Sequence, residues 1–412
     1  MSASNLSAPP RRIKSASAAS ERISADWRRQ LVSNLDGPLR LAPVVLALVL
    51  IWVFFDVENS LFLSSRNLTN LANQTAVTSI LGLGLMLVLI VRQIDLSLAA
   101  LAAVCGIVAA RFAVLEGWSV VPAIAIALAA GTVWGVVQGA ITTYFKAPSF
   151  IVTLGGYFIL TGLVLVLLPS TQSIALADTP MQDIASTTLP TVVSYVAVAI
   201  LVAGFFAVRL SYVSDAKRLG LPVKHGTQLV APTVALAILL LGVVVMFNSY
   251  QGVPVPTVIV AVLMTVLAYV GRHTSVGKHL YAVGGNPEAA RRAGIPVAKL
   301  TVVAFAASGL LTAVGGLVEA SRELGVSGQS VDLTLLFQAM SAAVIGGVSL
   351  FGGRGSVWGV LLGSLVIGSI SNGLLLLNTS TQVIYIAEGG ILVAAVVIDS
   401  IVAKNGPSRS RE

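Results

Sequence analysis

Charge is what this chain has least of. Only 10% of its 412 residues are Asp, Glu, Lys or Arg, where soluble domains carry about 25%. Cysteine is nearly absent too. Cys105 stands alone in an apolar run, so no internal disulfide is available and nothing follows about redox compartment. The three histidines, His225, His273 and His279, all fall in loops and far from that cysteine, so no metal cluster is expected. No loop is longer than about thirty residues, too few for a soluble catalytic domain. Gly277-Lys278-His279 lacks the glycine spacing and the hydroxyl that a phosphate-binding loop needs. No Gly-x-Ser-x-Gly elbow is present either. The chain is expected to be no enzyme, to hydrolyse no ATP and to bind no cofactor. The apolar runs also lack the dense series of acids and histidines that a proton-driven carrier uses.

What is there is apolar. Hydrophobic residues make up 56% of the chain and the mean hydropathy is +0.92. Runs long enough to cross a bilayer recur at about twelve places: 42–58, 72–91, 96–115, 120–142, 150–168, 191–210, 229–248, 254–271, 299–318, 335–350, 356–377 and 382–403. The segments 96–115 and 335–350 are interrupted by Ser97, Arg111, Gln338 and Ser341, which leaves ten to twelve spans. The expectation is an all-α polytopic membrane protein in the lipid bilayer.

The net charge of +8 is concentrated in a few places. Residues 1–40 form a basic tail expected to be disordered and cytoplasmic; no cleavable signal peptide is read in it. Lys217, Arg218 and Lys224 mark one loop; Arg272, Lys278, Arg291 and Arg292 mark a second. The short tail 404–412 is basic as well. If residues 41–403 form a permease domain whose segments each cross once, all four basic stretches fall on one side, and positive charge assigns that side to the cytoplasm. The loop 169–190 carries Asp178 and Asp183 and no Lys or Arg, and falls outside. This charge reports orientation and anionic lipid, not nucleic acid.

An internal repeat points to a transporter. Gly131-Thr132-Val133-Trp134-Gly135-Val136-Val137-Gln138-Gly139 returns as Gly355-Ser356-Val357-Trp358-Gly359-Val360-Leu361-Leu362-Gly363. The copies lie seven places apart in the order of segments, an odd number, so the second runs through the membrane in the opposite sense. Inverted repeats let two halves rock around a central path. Glycines four apart also make close helix contacts whatever their ancestry.

The most informative polar stretch lies in the loop 277–295. Gly284-Gly285 precede Asn286, which suits an N-cap; Pro287 suits the first helical position and Glu288 the positive helix start. Ala289, Arg291 and Arg292 continue a short helix, and Gly294 suits its stop. A capped, charged helix between apolar runs offers a handle to a soluble partner, so the chain reads as a transporter subunit driven by a separate engine.

Other polar residues interrupt the apolar segments. Asp95 and Ser97 are placed to cap the next helix, either beside a translocation path or in a tight turn. Thr153, beside Gly155-Gly156, together with Gln338, Ser341 and Asn372, completes the candidate path. Glu388 lies in the last segment, with reach to the outer interface the favoured reading over an intramembrane role. Glu319, Arg322, Glu323 and Asp332 flank an outer loop and could meet an extracytoplasmic partner.

Four stretches carry a resemblance: 94–97 (Ile-Asp-Leu-Ser), 148–155, 277–291 and 343–355. They resemble the permease subunits of bacterial ABC sugar importers, the family of ribose, xylose, galactose and branched-chain amino acid permeases, over about residues 42–403. The extra hairpin at about 211–271 is similar to the xylose type. The resemblance implies a homodimeric core in the inner membrane with both termini cytoplasmic. It also implies a cytoplasmic ABC ATPase that holds ATP and Mg, and a periplasmic sugar-binding protein. The chain departs from the family pattern in having Arg92-Gln93 where two glycines are usual, and Leu98-Ala99 where Val-Gly is usual. A branched-chain amino acid permease of the same family and an ion-coupled carrier using Asp95 and Glu388 remain open at this level.

Overall fold

The computed structural model describes residues 41–218 and 229–405. The tail 1–40, Lys224 and the basic residues Arg409 and Arg411 lie outside the described residues.

Every apolar segment read from the sequence meets a helix, because a chain in hydrocarbon must pair its own backbone groups. In order, these are α1 (Ala42–Glu58), α2 (Ser65–Ile90), α3 (Leu98–Ala110, extended by a π turn to Leu115), α4 (Val120–Tyr144) and α5 (Ser149–Leu167). Then come β1 (Ser173–Ala175), the short α6 (Asp183–Ser186), β2 (Thr188–Leu189), α7 (Thr191–Arg218), α8 (Ala231–Asn248), β3 (Val253–Pro254) and α9 (Val255–His273). The chain continues through α10 (Ser275–Gly285), α11 (Pro287–Arg292), α12 (Val297–Arg322), β4 (Gly325–Ser327), α13 (Leu333–Ile345), α14 (Val357–Leu376) and α15 (Thr381–Asn405). Among the described residues, nine helices are long and apolar enough to cross a membrane. The others among the read segments are α1 with 17 residues, α13 with 13, and α15, whose shorter apolar stretch is Thr381–Val397.

The inverted repeat is visible in the packing. α2 and α12 pack on each other at the centre. α3 packs on α12, α4 and α5, and α13 packs in the same way on α2, α14 and α15. α4 lies along α12, and α14 along α2. The end of the molecule bearing α11 collects the end of α2 and the chain leading into α14, through a hydrogen bond from the Gly353 amide to the Ile90 carbonyl at 2.9 Å. The far end collects the end of α1 and the end of α14, where Asn59 Nδ2 donates to the Leu376 carbonyl. α2 therefore runs toward the α11 end and α12 away from it; α4 runs toward it and α14 away.

The helix ends repeat as well. The second residue past α2, Arg92, and the second past α12, Leu324, both have positive φ, 64° and 54°. The second past α4, Lys146, and the second past α14, Asn378, do the same at 53° and 52°. Such left-handed caps are commonly glycine. Four non-glycine caps at matching positions mark one backbone plan used twice.

The repeat motif found in the sequence forms close backbone contacts in both halves. A Cβ on Gly135 would collide with the Phe305 carbonyl of α12, and a Cβ on Gly359 with the Gly346 carbonyl at the end of α13. The surface is apolar where helices face outward, as at Ile159, Ile200, Ile238 and Ile386, as a lipid-facing wall requires. The four strands were not expected from the apolar pattern. They form two short antiparallel pairs at the far end, β1 with β4 and β2 with β3.

Candidate functional site: a capped lever and the turn beneath it

The lever is α11. Asn286 Oδ1 accepts from the amides of Glu288 at 3.1 Å and Ala289 at 3.0 Å, and Pro287 takes the first helical position. These bonds satisfy two of the amides a helix start leaves free. The helix stops at Gly294, whose φ of +78° lets the Ile295 amide turn back to the Ala290 carbonyl at 3.0 Å. Ala290 is its one buried residue and seats it on the body. Glu288 pairs with Arg291 at 2.9 Å and with Arg292 at 3.5 Å, and all three side chains are more than half exposed. Exposed pairs of this kind add little stability. The charged face is thus open on a helix whose two ends are fixed.

Beneath the lever three segments meet. A Cβ on Gly284 would collide with the Ile90 carbonyl and with the Gly353 backbone, so only glycine lets α10 end against both the α2–α3 turn and the α13–α14 loop. Tyr281 Oη donates to the Gly355 carbonyl at 3.1 Å. Burial pushes that phenol up, with Arg272 pulling against it, so it stays a donor.

The α2–α3 turn carries Asp95 and Ser97, both buried. Asp95 Oδ1 accepts from the Ser97 amide at 2.8 Å and from Ser97 Oγ at 2.7 Å. Ser97 Oγ in turn accepts from Gln138 Nε2 of α4 at 3.0 Å. Thr153 Oγ1 of α5 accepts from the Leu96 amide at 3.1 Å and faces the Ile94 carbonyl at 3.2 Å, while Ser149 Oγ accepts from the Ile94 amide. The turn is thereby stitched to α4 and α5. Burial pushes the Asp95 carboxyl up, and the two bonds from Ser97 pull it back. The capping role read from the sequence for this pair is corrected: Ser97 holds the N-cap position in a helical conformation and its side chain makes no cap bond, because it is turned toward Asp95.

At the far end lie two cavities. One of about 630 Å³ is bounded by α3, α12, α13 and the β1–β4 pair, and includes Gln338, Glu319, Glu323 and Asp332. The other, about 610 Å³, is lined by amides: Asn67, Asn70, Asn73 and Gln74 of α2 and Asn372 of α14. Arg322 touches both and is held by two 2.9 Å bonds to Glu319 and a 2.6 Å contact with Glu323. Asn67 Nδ2 donates to Asn372 Oδ1 at 2.8 Å.

Glu388 departs from the sequence reading. It does not reach an exposed interface but is buried, 6% exposed. Gln338 Nε2 donates to its Oε1 at 2.9 Å, and Ser371 Oγ donates to the same oxygen. Two donors from neighbouring helices offset part of the cost of burying a carboxylate.

The structure thus brings Asp95, Ser97 and Thr153 together at the α11 end. It places Gln338 and Asn372 in separate far-end cavities, and Ser341, buried in α13, in neither. Gln138 and Ser371 were missed by sequence reasoning. Gln138 was legible in principle as the one amide in a glycine-spaced apolar helix; Ser371 was not, since serines abound in these segments.

A polytopic helical body built on an inverted repeat, with a charged helix at one end and polar cavities at the other, fits a membrane transport subunit. Residues 67–396 match the family described as the permease component of the branched-chain amino acid transport system. The chain belongs to that permease family. It is similar to the xylose transport system permease protein XylH of Haemophilus influenzae, 36% identical over 88% of this chain and 96% of the relative. Against XylH of Escherichia coli K12 the identity is 34% over 88% and 92%. The ribose import permease protein RbsC of H. influenzae is 29% identical over 86% and 91%. No solved structure gives a significant match.

Proposed function

We propose that this chain is the membrane-spanning permease subunit of an ATP-driven sugar importer and that its sugar is xylose or a closely similar monosaccharide. The observation that carries the reading is α11, a helix capped at both ends with its charged face open. A permease with no nucleotide site of its own needs such a contact for a cytoplasmic ATPase, which holds the ATP and magnesium. The two xylose permeases among the relatives support the substrate. A second copy of the chain completes the path, and a periplasmic binding protein delivers the sugar to the far end. The α11 end and both chain termini face the cytoplasm of a bacterial inner membrane, as the positive charge around Lys278, Arg291 and Arg292 favours.

The path takes sugar past Gln338 and Asn372 at the far end and past the turn held by Asp95, Ser97 and Thr153 at the other; Ser341 lies behind it. The amide-rich cavity suits hydroxyl groups that both donate and accept. The test is uptake of labelled xylose, ribose and valine by proteoliposomes that contain the chain alone, or the chain with its ATPase and binding protein. The expected result is ATP-dependent xylose uptake by the full complex only. Uptake by the chain alone under an ion gradient contradicts the reading, and valine uptake in place of xylose moves the substrate to the branched-chain class.

A further inference from the structure

Arg92 holds a backbone conformation that side chains rarely adopt, with φ at +64°. In that conformation its side chain reaches the lever. Nε donates to the Gly284 carbonyl at 2.6 Å and an η nitrogen donates to the Gly285 carbonyl at 2.8 Å. These carbonyls close α10, and the next residue is Asn286, the cap of α11. A cation here is favoured by the unpaired carbonyls and by the helix dipole. Three residues on from Arg92 stands Asp95, inside the turn stitched to α4 and α5 through Gln138, Ser149 and Thr153.

The other contacts between the lever and this turn are packing contacts, with Leu280, Val283 and Ala290 in one buried cluster with Ile90 and Val91. Gly284 packs closely on the Ile90 carbonyl. Parting that contact forfeits its dispersion attraction, but packing alone sets no fixed direction between the two backbones. The Gly353 amide bonds Ile90 from a third segment and does not tie α10 to the turn directly. The charge-assisted pair from Arg92 does, and such bonds are stronger than neutral ones.

We propose that Arg92 is a positioning residue that adds a directional, charge-assisted pair of bonds to the packed contact between the base of α11 and the Asp95–Ser97 turn, so that movement of the lever is passed to the turn, and with it to α3 and α5. The proposal rests on the reading of the chain as an ATP-driven permease.

The test uses the full complex in proteoliposomes with Arg92→Gly and Arg92→Lys. Glycine suits the positive φ, so Arg92→Gly removes the two bonds without straining the turn, and its thermal midpoint should stay close to the wild type, the gain at positive φ offsetting much of the lost bonding. Xylose moved per ATP hydrolysed is expected to fall about three- to tenfold, with basal ATP hydrolysis retained. Arg92→Lys, which can reach a carbonyl with one ammonium, is expected to recover part of the loss. An unchanged ratio of sugar to ATP in Arg92→Gly overturns the proposal. Loss of the ATPase from the purified Arg92→Gly complex also overturns it, since Arg92 would then be a docking contact. A wild-type complex that moves no sugar removes the importer reading and the proposal together. An active wild type with an equally coupled Arg92→Gly removes the proposal alone.

Discussion

The two repeats use one backbone plan and hold their middle helices differently. In α2–α5 the polar contacts sit in the turn before α3, where Asp95, Ser97, Gln138 and Thr153 join three helices at the α11 end. In α12–α15 they sit within the helices, where Gln338 and Ser371 meet Glu388. The left-handed residue after α2 is Arg92, bonded to the base of the lever; its counterpart after α12 is Leu324, which is exposed and leads into β4. A duplicated frame thus supplies two equivalent supports. Among the differences between them are these turns and buried polar side chains.

Breaking the shared frame has the largest expected effect. Gly135→Val and Gly359→Val each force a side chain into a neighbouring backbone, and each should cost about 3 kcal/mol, read as a lower thermal midpoint in detergent. Gly155, with open space where its Cβ would stand, serves as the control, and Gly155→Ala should leave the midpoint unmoved. Loss in one repeat only would end the claim that the two contacts are equivalent.

Next in size is the cluster of the second repeat. Glu388→Ala leaves Gln338 without its acceptor, while Ser371 keeps the Ile367 carbonyl, and should cost about 2 kcal/mol. Glu388→Gln keeps an acceptor oxygen and should cost less. Equal midpoints for the two variants would mean that shape, not hydrogen bonding, holds the site.

The first repeat answers through pH. Burial raises the Asp95 pKa, so the folded chain binds this proton more tightly than the unfolded chain does. The stability from Asp95 is therefore full below the ordinary carboxylate pKa and is lost as pH rises through the higher folded value. Asp95→Asn keeps an acceptor for Ser97 and removes the titration. The variant should gain on the wild type in thermal midpoint as pH rises, whereas parallel curves would show that Asp95 does not titrate in this range.

The smallest effect is local. Asn286→Ala should cost α11 about 1 kcal/mol, seen as faster amide hydrogen exchange over 287–293 with the global midpoint unchanged. Unchanged exchange would show that packing at Ala290 alone holds the helix.

Much of this was legible in the sequence, for physical reasons that differ by feature. Long apolar runs announce helices because lipid allows few alternatives, and every segment from 42–58 to 382–403 found its helix. Asn286, Pro287, Glu288 and Gly294 announced α11 because capping is a local affair of neighbouring residues. Long-range pairings were hidden. Nothing near Arg92 in sequence names Gly284 as its acceptor, and nothing near Glu388 names Gln338 fifty residues earlier. The β1–β4 pair was hidden as well, since three residues per strand carry too little alternation to read.

The most direct test of the central claim reverses the order of the charges along the lever while leaving its fold. Glu288→Arg combined with Arg291→Glu exchanges the partners of the pair within α11, at a small cost from the helix dipole. In the reconstituted complex, ATP hydrolysis stimulated by the loaded binding protein and xylose uptake should both fall sharply, with an unaltered thermal midpoint. Full stimulation and full uptake in that double variant would contradict the account.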